Sequence, residues 1–437
     1  MKELERYTHT DIELIWVPAS AYKDKTKIAL SSLKLPTIMV IPAKSPEFIS
    51  AVRRGMFWEL GPYLDGYPNL KQANKTVLRN ASVDGKIYSM YRARNQARYG
   101  VTIRMDWLEN TGLGIPTTIN EFYEVLRAFT YGDPDMDGRQ DTYGLVATTH
   151  PSTFEVIQTW FGVPNQWGMD EASRQLVPAH LTKEYKEALK FFKRLYDEGL
   201  MNDDFAVRDP SFWREPLLHA EAGVLVDVAD QAQRVAHDIE KKYGLKNVVD
   251  VFSGVEGPNG LRVPSNSGYD GMLAVSRSAV KTEQELRRVL HFLDKLNDEN
   301  MQILLYNGIQ GRHYQKSPEM TDVNVGYEIN NLSQMLMFIP EARTIPSVVT
   351  PIRTKVQQVI RSNEPFLLNN PAEEFISDTY MKEGPMLDML VSDARTQFIL
   401  GQIDEEGWEK AIRQWRDSGG NRYIEEINDQ FKQANGR

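Results

Sequence analysis

The chain of 437 residues contains no cysteine. This absence excludes disulfide bridges, thiolate catalysis and zinc sites built from cysteine. No apolar run approaches the roughly 18 residues of a membrane-spanning helix, and the N-terminal stretch MKELERYTHTDIELIWV has no apolar signal core. Basic residues are outnumbered, with 51 Lys and Arg against 60 Asp and Glu, and the formal charge is −9. Nucleic acid is therefore disfavoured as a general partner.

The composition is that of a folded globular protein, with 41% hydrophobic and 25% charged residues. The length favours about two or three domains. Apolar runs typical of strands alternate with amphipathic segments typical of helices, which predicts α/β sheets. The predicted strands include residues 11–17, 37–41, 142–148, 222–228 and 271–276, and the stretch VTIRMDWL. A helix is predicted after Thr118, which has capping-box spacing to Glu121.

Six of the eight tryptophans divide into two groups by their surroundings. Four lie in or beside regular apolar patterns, and we predict that they pack in cores: Trp16, Trp107, Trp408 and Trp415. Trp167 and Trp213 lie in irregular polar stretches, VPNQWGMD and DPSFWREP. Because a sugar-binding site needs flat apolar faces beside polar groups, these two fit a ligand site and a packing role equally.

Like charges are crowded in the stretch GDPDMDGRQDTYG, which runs from Gly132 to Gly144. Its aspartates fall at alternate positions, interrupted once by Arg139: Asp133, Asp135, Asp137 and Asp141. Their mutual repulsion is costly unless water or a cation neutralises it. The order matches the D-x-[DN]-x-[DN]-G beginning of a calcium loop, with Gly138 sixth and the carbonyl of Arg139 seventh. We therefore predict a structural calcium ion held by these four aspartates and Arg139.

The loop departs from an EF-hand at its twelfth position, where Gly144 replaces the usual bidentate glutamate. Thr142, a water molecule or a distant carboxylate would have to complete the shell. An ion-free Asp/Gly-rich turn between a helix and a strand is the alternative interpretation.

Several motifs follow one another along nearly the whole chain. They are DGKIYSM, VTIRMDWLENTGLGIPTTINEFYEVLRAF, DPDMDGRQDTYG, FGVPNQW, LYDEGLMNDDF, GIQGRHY and FILGQIDEEGWEKAIRQWRDSGG. Their succession resembles the extracellular solute-binding proteins of bacterial carbohydrate ABC transporters, above all the large lipoprotein-type members of family 1, which include oligosaccharide and alginate binders.

The resemblance implies a periplasmic binding protein-like type II fold, in which two α/β lobes are joined by crossing strands and enclose a ligand cleft. On this basis we expect residues 1–104 and 261–315 to form the N-terminal lobe. Residues 105–260 and 316–437 would form the C-terminal lobe. Some relatives hold a structural calcium in the matching loop.

The implied function is capture of an oligosaccharide for a bacterial carbohydrate ABC importer by hinge closure. An acidic, uronate-containing sugar is one candidate ligand. The resemblance also implies an extracellular monomer, either a cell-surface lipoprotein or a periplasmic protein, whose partners are the sugar and the permease subunits.

Two features depart from the resemblance. Lys34 and Thr37 stand where relatives have acidic residues. The chain also starts within the family's first helix, so we expect the first strand, a signal peptide and a lipid-bearing cysteine to lie upstream or to be lost. Without that strand the first lobe would have an unpaired sheet edge.

Four of the candidate ligand-binding residues lie in the stretch YRARNQARYG, from Tyr91 to Gly100. Arginine forks bind carboxylates through paired hydrogen bonds, although a solvated loop is the alternative interpretation. The family position, just before the first crossing, favours the cleft, and SGYDG precedes the second crossing. We predict ligand contacts from Tyr91, Arg92, Arg94, Asn95, Trp167, Trp213, Tyr269, Asp270 and Arg312.

No catalytic residue is predicted, because the chain has no G-x-S-x-G, Walker or H-E-x-x-H motif. A binding protein is therefore the preferred interpretation. A calcium-containing hydrolase or lyase with paired carboxylates is one alternative. A non-transport interaction protein on the same scaffold is the other.

Overall fold

The computed structural model describes residues 1–32, 34–314 and 350–435, which form two compact units. The first unit contains residues 1–95 and the described residues from 267 to 314, and the second contains residues 96–266 and 350–435. The chain leaves the first unit after Asn95 and returns to it at Ser267. The sequence-based divisions lay at 104/105 and 260/261, and the predicted assignment of residues 315–349 falls outside the described residues.

Helices and strands are interspersed along the described residues. The helices are α1 (Lys2–Thr8), α2 (Ala19–Ser32), α3 (Pro46–Arg53), α4 (Lys75–Asn80), α5 (Met105–Thr111), α6 (Ile119–Tyr131), α7 (Ser152–Trp160), α8 (Lys183–Asp197), α9 (Glu215–Leu218), α10 (Asp230–Tyr243), α11 (Glu283–Lys295), α12 (Glu299–Asn307), α13 (Pro351–Asn363), α14 (Asp378–Ile399), α15 (Glu405–Trp415) and α16 (Asn421–Asn435). The strands are β1 (Ile38–Ile41), β2 (Ser89–Ala93), β3 (Tyr99–Arg104), β4 (Tyr143–Val146), β5 (Trp167–Asp170), β6 (Gln175–Pro178), β7 (Ala222–Val228), β8 (Val249–Phe252), β9 (Val263–Pro264), β10 (Tyr269–Val275) and β11 (Leu367–Leu368). Of the described helices, none is both long and apolar enough to cross a membrane.

The first unit contains a three-stranded sheet in the order β1-β10-β2, and both pairings are antiparallel. The predicted strand at 37–41 is confirmed as β1, but the predicted strand at 11–17 is wrong. Its residues form no strand, and Ile15 and Trp16 are 72% and 59% exposed, so the predicted core position of Trp16 is also wrong. Within the described residues β1 pairs only with β10. Residues 11–17 pair with no described strand, so the alternating pattern is present without the ladder of backbone hydrogen bonds that makes a strand.

The second unit contains a four-stranded sheet in the order β4-β7-β3-β8. β7 is parallel to β4 and antiparallel to β3. Alternate residues of β7 enter different apolar clusters, with Val224 and Val226 in one and Leu225 in the other. Burial of both faces explains why this strand reads as a nearly continuous apolar run. Gly223 is needed there, because a Cβ atom would lie 2.1 Å from the Phe129 ring.

Local signals in the second unit behave as predicted. The Thr118 side chain accepts a hydrogen bond from the backbone N–H of Glu121 at 3.2 Å and caps α6. Trp107, Trp408 and Trp415 are buried, at 0%, 1% and 2% exposure. The strand predicted over VTIRMDWL is shorter than expected, because β3 ends at Arg104 and Trp107 lies in α5.

Candidate functional site

The predicted ligand residues begin in β2, where Tyr91 lies in the core of the first unit. Tyr91 is 3% exposed, and its hydroxyl accepts a hydrogen bond from the backbone N–H of Asn74 at 2.8 Å. A phenol that is buried and hydrogen-bonded in this way is held by the fold itself. Its position favours a packing role over the predicted contact with a ligand.

Arg92, the next residue, has no counter-charge among the described residues. Its side chain is partly buried, its Nε atom is buried without a hydrogen-bond partner there, and no described carboxylate forms an ion pair with it. Burial lowers the pKa of Arg92, and the nearby Tyr22 acts in the opposite direction. Because an unpaired buried charge is costly, the geometry favours an anion at this guanidinium.

The backbone opposite Arg92 leaves room for the guanidinium. The register between β2 and β10 shifts between Tyr269 and Met272, and Gly271 in this bulge has φ +86°. A Cβ atom at Gly271 would lie 3.2 Å from Nη1 of Arg92. Glycine therefore serves both the left-handed backbone and the space for the charged group. Neither Gly271 nor Tyr22 was predicted to be near Arg92, because neither lies in a sequence motif with it.

The other two arginines of the segment have carboxylate partners. Arg94 forms an ion pair with Asp270, and Arg98 forms one with Asp230. The Arg94 side chain is 40% exposed and that of Asp270 is 53% exposed, so this pair is accessible to solvent. Asn95, which follows Arg94, is also exposed. The structure thus distinguishes Arg92 from its neighbours, which the sequence pattern did not.

The remaining predicted ligand residues lie in different surroundings. Trp167 begins β5, is 5% exposed and packs edge-on against Tyr423 with ring centroids 5.1 Å apart. Trp213 is partly buried and packs edge-on against His150 at 5.8 Å. Tyr269 is partly buried at the start of β10, and Arg312 is exposed in a turn. The position of Trp167 favours packing, whereas the partial exposure of Trp213 leaves both interpretations in place.

The aspartate loop follows α6, and three of its carboxylates converge. Ligand oxygens of Asp133, Asp135 and Asp137 lie within 4.8 Å of one another. The Asp133 carboxylate accepts hydrogen bonds from the backbone N–H groups of Asp137 and Gly138 at 3.1 and 3.2 Å. Gly138 has φ +82°, as the turn at the sixth position of a calcium loop requires.

One oxygen of this cluster is left without a partner. Oδ1 of Asp135 is buried and accepts no hydrogen bond from the described residues. Burial raises the pKa of Asp135, and the neighbouring Asp137 raises it further. Three convergent hard oxygens, one of them unsatisfied, fit a cation such as Ca²⁺.

The other predicted metal ligands do not belong to the convergent group of carboxylates. Asp141 is exposed and lies outside the convergent group. The Arg139 guanidinium lies 3.8 Å from the Asp137 carboxylate, and its side chain is 75% exposed. Its positive charge therefore partly offsets the negative charge of the aspartates in the loop. The Thr142 hydroxyl donates a hydrogen bond to the carbonyl of Phe129 at 2.8 Å. Asp133, Asp135 and Asp137 are thus the residues best placed to hold an ion.

Comparisons with known proteins agree with this description. A family model described as bacterial extracellular solute-binding protein matches residues 1–301. Lipoprotein LipO of Bacillus subtilis strain 168 is 43% identical to this chain, with 99% of this chain and 89% of LipO covered. The polygalacturonan/rhamnogalacturonan-binding protein YtcQ of the same strain is 34% identical, with 99% and 88% covered.

The fold is shared with a solved structure from Streptococcus pneumoniae, the substrate-binding protein FusA as an EF-hand mutant in complex with fructo-nystose. Its TM-score is 0.71 and its sequence identity 16%, and 100% of this chain and 95% of FusA are covered. The predicted two-lobe type II α/β fold is confirmed. The family match places the protein outside the cell or at its surface, and it confirms a binding protein rather than an enzyme. The chain belongs to the bacterial extracellular solute-binding proteins.

Proposed function

We propose that this protein captures an acidic, uronate-containing oligosaccharide, and that Arg92 binds a carboxylate of the sugar. The observation that carries this proposal is the partly buried Arg92 guanidinium, which has no counter-charge among the described residues. A sugar carboxylate would accept paired hydrogen bonds from the guanidinium and supply the missing negative charge.

The relatives support the choice of an acidic sugar. YtcQ is named for binding polygalacturonan and rhamnogalacturonan, both of which contain uronic acids. The ion pair between Arg94 and Asp270 gives the first lobe a second polar group beside Arg92. Because both members of this pair are solvent-accessible, they suit hydroxyl groups of the sugar, while Arg92 takes the charge. Tyr269, Asn95 and Arg312 stay as predicted contacts with the ligand.

The aspartate loop has a supporting role in this proposal. Asp133, Asp135 and Asp137 would hold one structural calcium ion, with Asp141 and the Arg139 carbonyl as further predicted ligands. The convergence of three carboxylates and the unsatisfied oxygen of Asp135 support a cation. The EF-hand named in the FusA structure supports calcium in particular. The ion would brace the connection between α6 and β4.

We propose that the protein is the substrate-binding component of a carbohydrate importer of the ABC type, and the names of relatives support its membrane attachment and its partners. LipO is named as a lipoprotein, which supports a cell-surface protein held by a lipid anchor. We infer that the loaded protein delivers its sugar as a monomer to the permease subunits of the importer.

Titration calorimetry with two matched ligands tests the proposed function. One ligand is a galacturonate oligosaccharide, and the other is the same oligosaccharide with its carboxyl groups reduced to alcohols. We expect the acidic ligand to bind at least tenfold more tightly, and chromatography to show it uncleaved. Equal affinities would contradict the acidic specificity, and a cleaved product would contradict a binding protein.

A further inference from the structure

The end of α10 in the second lobe is basic and exposed, and the proposed carboxylate site does not use it. Residues 241–247, KKYGLKN, are all exposed to solvent. We call this stretch the basic tip, and it contains Lys241, Lys242 and Lys246 but no acidic residue. Gly244, with φ +73°, ends the helix in the middle of the tip. Three like charges therefore lie on one exposed turn.

Two large apolar side chains of the basic tip are exposed as well. Tyr243 and Leu245 are each 49% exposed, and the Lys242 ammonium lies 5.0 Å from the centroid of the Tyr243 ring. Single exposed apolar residues are ordinary on a protein surface, but these two lie between lysines. Apolar groups that enter a lipid surface beside lysines that reach its polar headgroups are typical of an interfacial membrane contact.

The beginning of α13 adds positive charge beside the basic tip. α13 has the sequence PIRTKVQQVIRSN, with three basic residues and no acidic one. Lys355 donates a hydrogen bond at 2.9 Å to the carboxylate of Asp250, three residues after the tip. Apolar side chains of α10 and α13 share one buried cluster. The first turn of α13, which contains Arg353, therefore lies at the same end of the lobe as the tip.

Few acidic groups oppose this positive charge. Glu240 lies 3.2 Å from Lys246, and Asp250 is paired with α13. Neither Lys241 nor Lys242 has a carboxylate partner in the part of the chain that the structure describes. The whole chain carries a formal charge of −9, so an anionic surface repels most of the molecule. Such a surface attracts the chain only where the local charge is positive.

Lysines in the last turn of a helix also offset the negative end of the helix dipole. This effect accounts for Lys241 and Lys242, which lie within α10. It does not account for Lys246, which follows the helix, or for the exposure of Tyr243 and Leu245. A partner that is both anionic and partly apolar accounts for all five residues.

We propose that the basic tip rests on a membrane surface with anionic lipid headgroups. Tyr243 and Leu245 enter the headgroup region, and the lysines bind lipid phosphates. The inference rests on the proposed lipid anchor, because a chain already held near a membrane needs only a weak additional contact. It goes beyond that proposal, since it names the face of the second lobe that meets the membrane.

Sedimentation of the full chain with lipid vesicles tests the contact. One set of vesicles contains phosphatidylglycerol mixed with phosphatidylcholine, and the other contains phosphatidylcholine alone. We expect binding to the anionic vesicles only. Because salt screens such attraction, binding should weaken at least about tenfold between roughly 0.05 M and roughly 0.5 M salt.

Removal of two charges locates the contact on the chain. Lys241→Gln combined with Lys242→Gln should weaken vesicle binding at least about tenfold, since each basic residue near an anionic surface contributes roughly fivefold. Lys382→Gln combined with Lys410→Gln is the matched control, because it removes the same charge from exposed positions of the same lobe. The control should bind within about twofold of the wild type, and both variants should keep its melting temperature.

The absence of cysteine allows a second measurement at the apolar part of the tip. Leu245→Cys can carry a single environment-sensitive fluorescent probe, and Val207→Cys, at a position that is 78% exposed, is the control. On anionic vesicles the emission of the probe at position 245 should shift to shorter wavelength, and that of the probe at position 207 should not. Leu245→Ser should weaken vesicle binding about threefold.

Three results would overturn the inference: no binding to anionic vesicles, equal losses in the control with two lysines replaced, or no emission shift at position 245. Binding of a soluble glycerol phosphate polymer as tight as that of vesicles, without an emission shift, would assign the tip to a soluble polyanion instead.

Calorimetry with a galacturonate oligosaccharide separates this inference from the proposed function. The variant without Lys241 and Lys242 should bind the sugar as the wild type does. A wild type that binds the sugar but no vesicles would contradict the inference alone. A wild type that binds anionic vesicles but no acidic sugar would contradict the proposed ligand alone.

Discussion

In two stretches of this chain, several like charges lie close together in the sequence. The fold brings the carboxylates of one stretch together, whereas it pairs most of the arginines of the other with carboxylates. In the aspartate loop, backbone turns with positive φ at Asp133, Met136 and Gly138 bring three carboxylates together. In the arginine segment, two of the three guanidinium groups have their own carboxylate, and only Arg92 has none among the described residues. Like charges close in sequence therefore indicate a shared ion site only where the backbone turns them toward one point.

Removal of the proposed calcium ion should have the largest effect. An ion that binds only the folded chain stabilises it by about 4 kcal/mol at a thousandfold excess over its dissociation constant. For lobes of this size we expect chelator to lower the melting temperature by roughly 10 °C, measured by scanning calorimetry. Excess calcium added after the chelator is the control and should restore the value. An unchanged melting temperature would mean that the aspartates converge without an ion.

Arg92→Gln should have the next largest effect, and it tests whether Arg92 differs from the other arginines of the segment. Loss of one partner of a desolvated charge pair costs about 2–5 kcal/mol, so we expect roughly a hundredfold weaker binding of a galacturonate oligosaccharide. Binding of the carboxyl-reduced oligosaccharide should change less than about threefold.

The matched control is Arg94→Gln, which removes a charge two residues away that already has Asp270 as its partner. Exposed ion pairs contribute about 0–1 kcal/mol, so this variant should weaken the acidic ligand only a few fold. Equal losses for the two variants in calorimetry would show that the pairing of Arg94 does not distinguish it from Arg92.

Gly271→Ala should have an intermediate effect on binding of the acidic ligand, because the added methyl group would crowd the Arg92 guanidinium. The new Cβ atom would lie 3.2 Å from Nη1 of Arg92, and φ is +86°. We expect about tenfold weaker binding of the acidic ligand and roughly 1 kcal/mol lower stability. Gly85→Ala separates the two causes, because Gly85 has φ +74° with nothing within 4 Å of its added Cβ. The control should lose stability alone, and an equal loss of affinity there would exclude a specific contact with Arg92.

The sequence predicted those features of the structure that depend on residues close together in the chain. The Thr118 cap, the apolar run of β7 and the aspartate spacing each depend on a few neighbouring residues. The difference between Arg92 and Arg94 was not predictable, because Asp270 and Gly271 come from β10, far along the chain. Trp16 was misassigned for a similar reason, since a strand pattern does not show whether a partner strand is present.

Asp135→Asn should change the melting temperature least, and the sign of the change should differ between chelator and excess calcium. Burial and Asp137 raise the pKa of Asp135, so in chelator its ionised form destabilises the fold at neutral pH, and this cost disappears as the pH falls below the raised pKa. The variant should therefore melt roughly 1–2 °C above the wild type in chelator at pH 7, as expected for a solvent-screened charge worth about 0.5 kcal/mol. This advantage should shrink in acid.

In excess calcium the order should reverse, because the variant lacks one charged ligand and the wild type gains the full stabilisation of the ion. Asp170→Asn, at the end of β5 in the same lobe, is the control and should show no reversal with calcium. A variant that melts below the wild type in both conditions would show that Asp135 supports the loop through the fold rather than through an ion. Reversal at Asp135 alone would establish that repulsion in the aspartate loop is relieved by a cation, whereas the arginine segment relieves its repulsion with carboxylates of the chain itself.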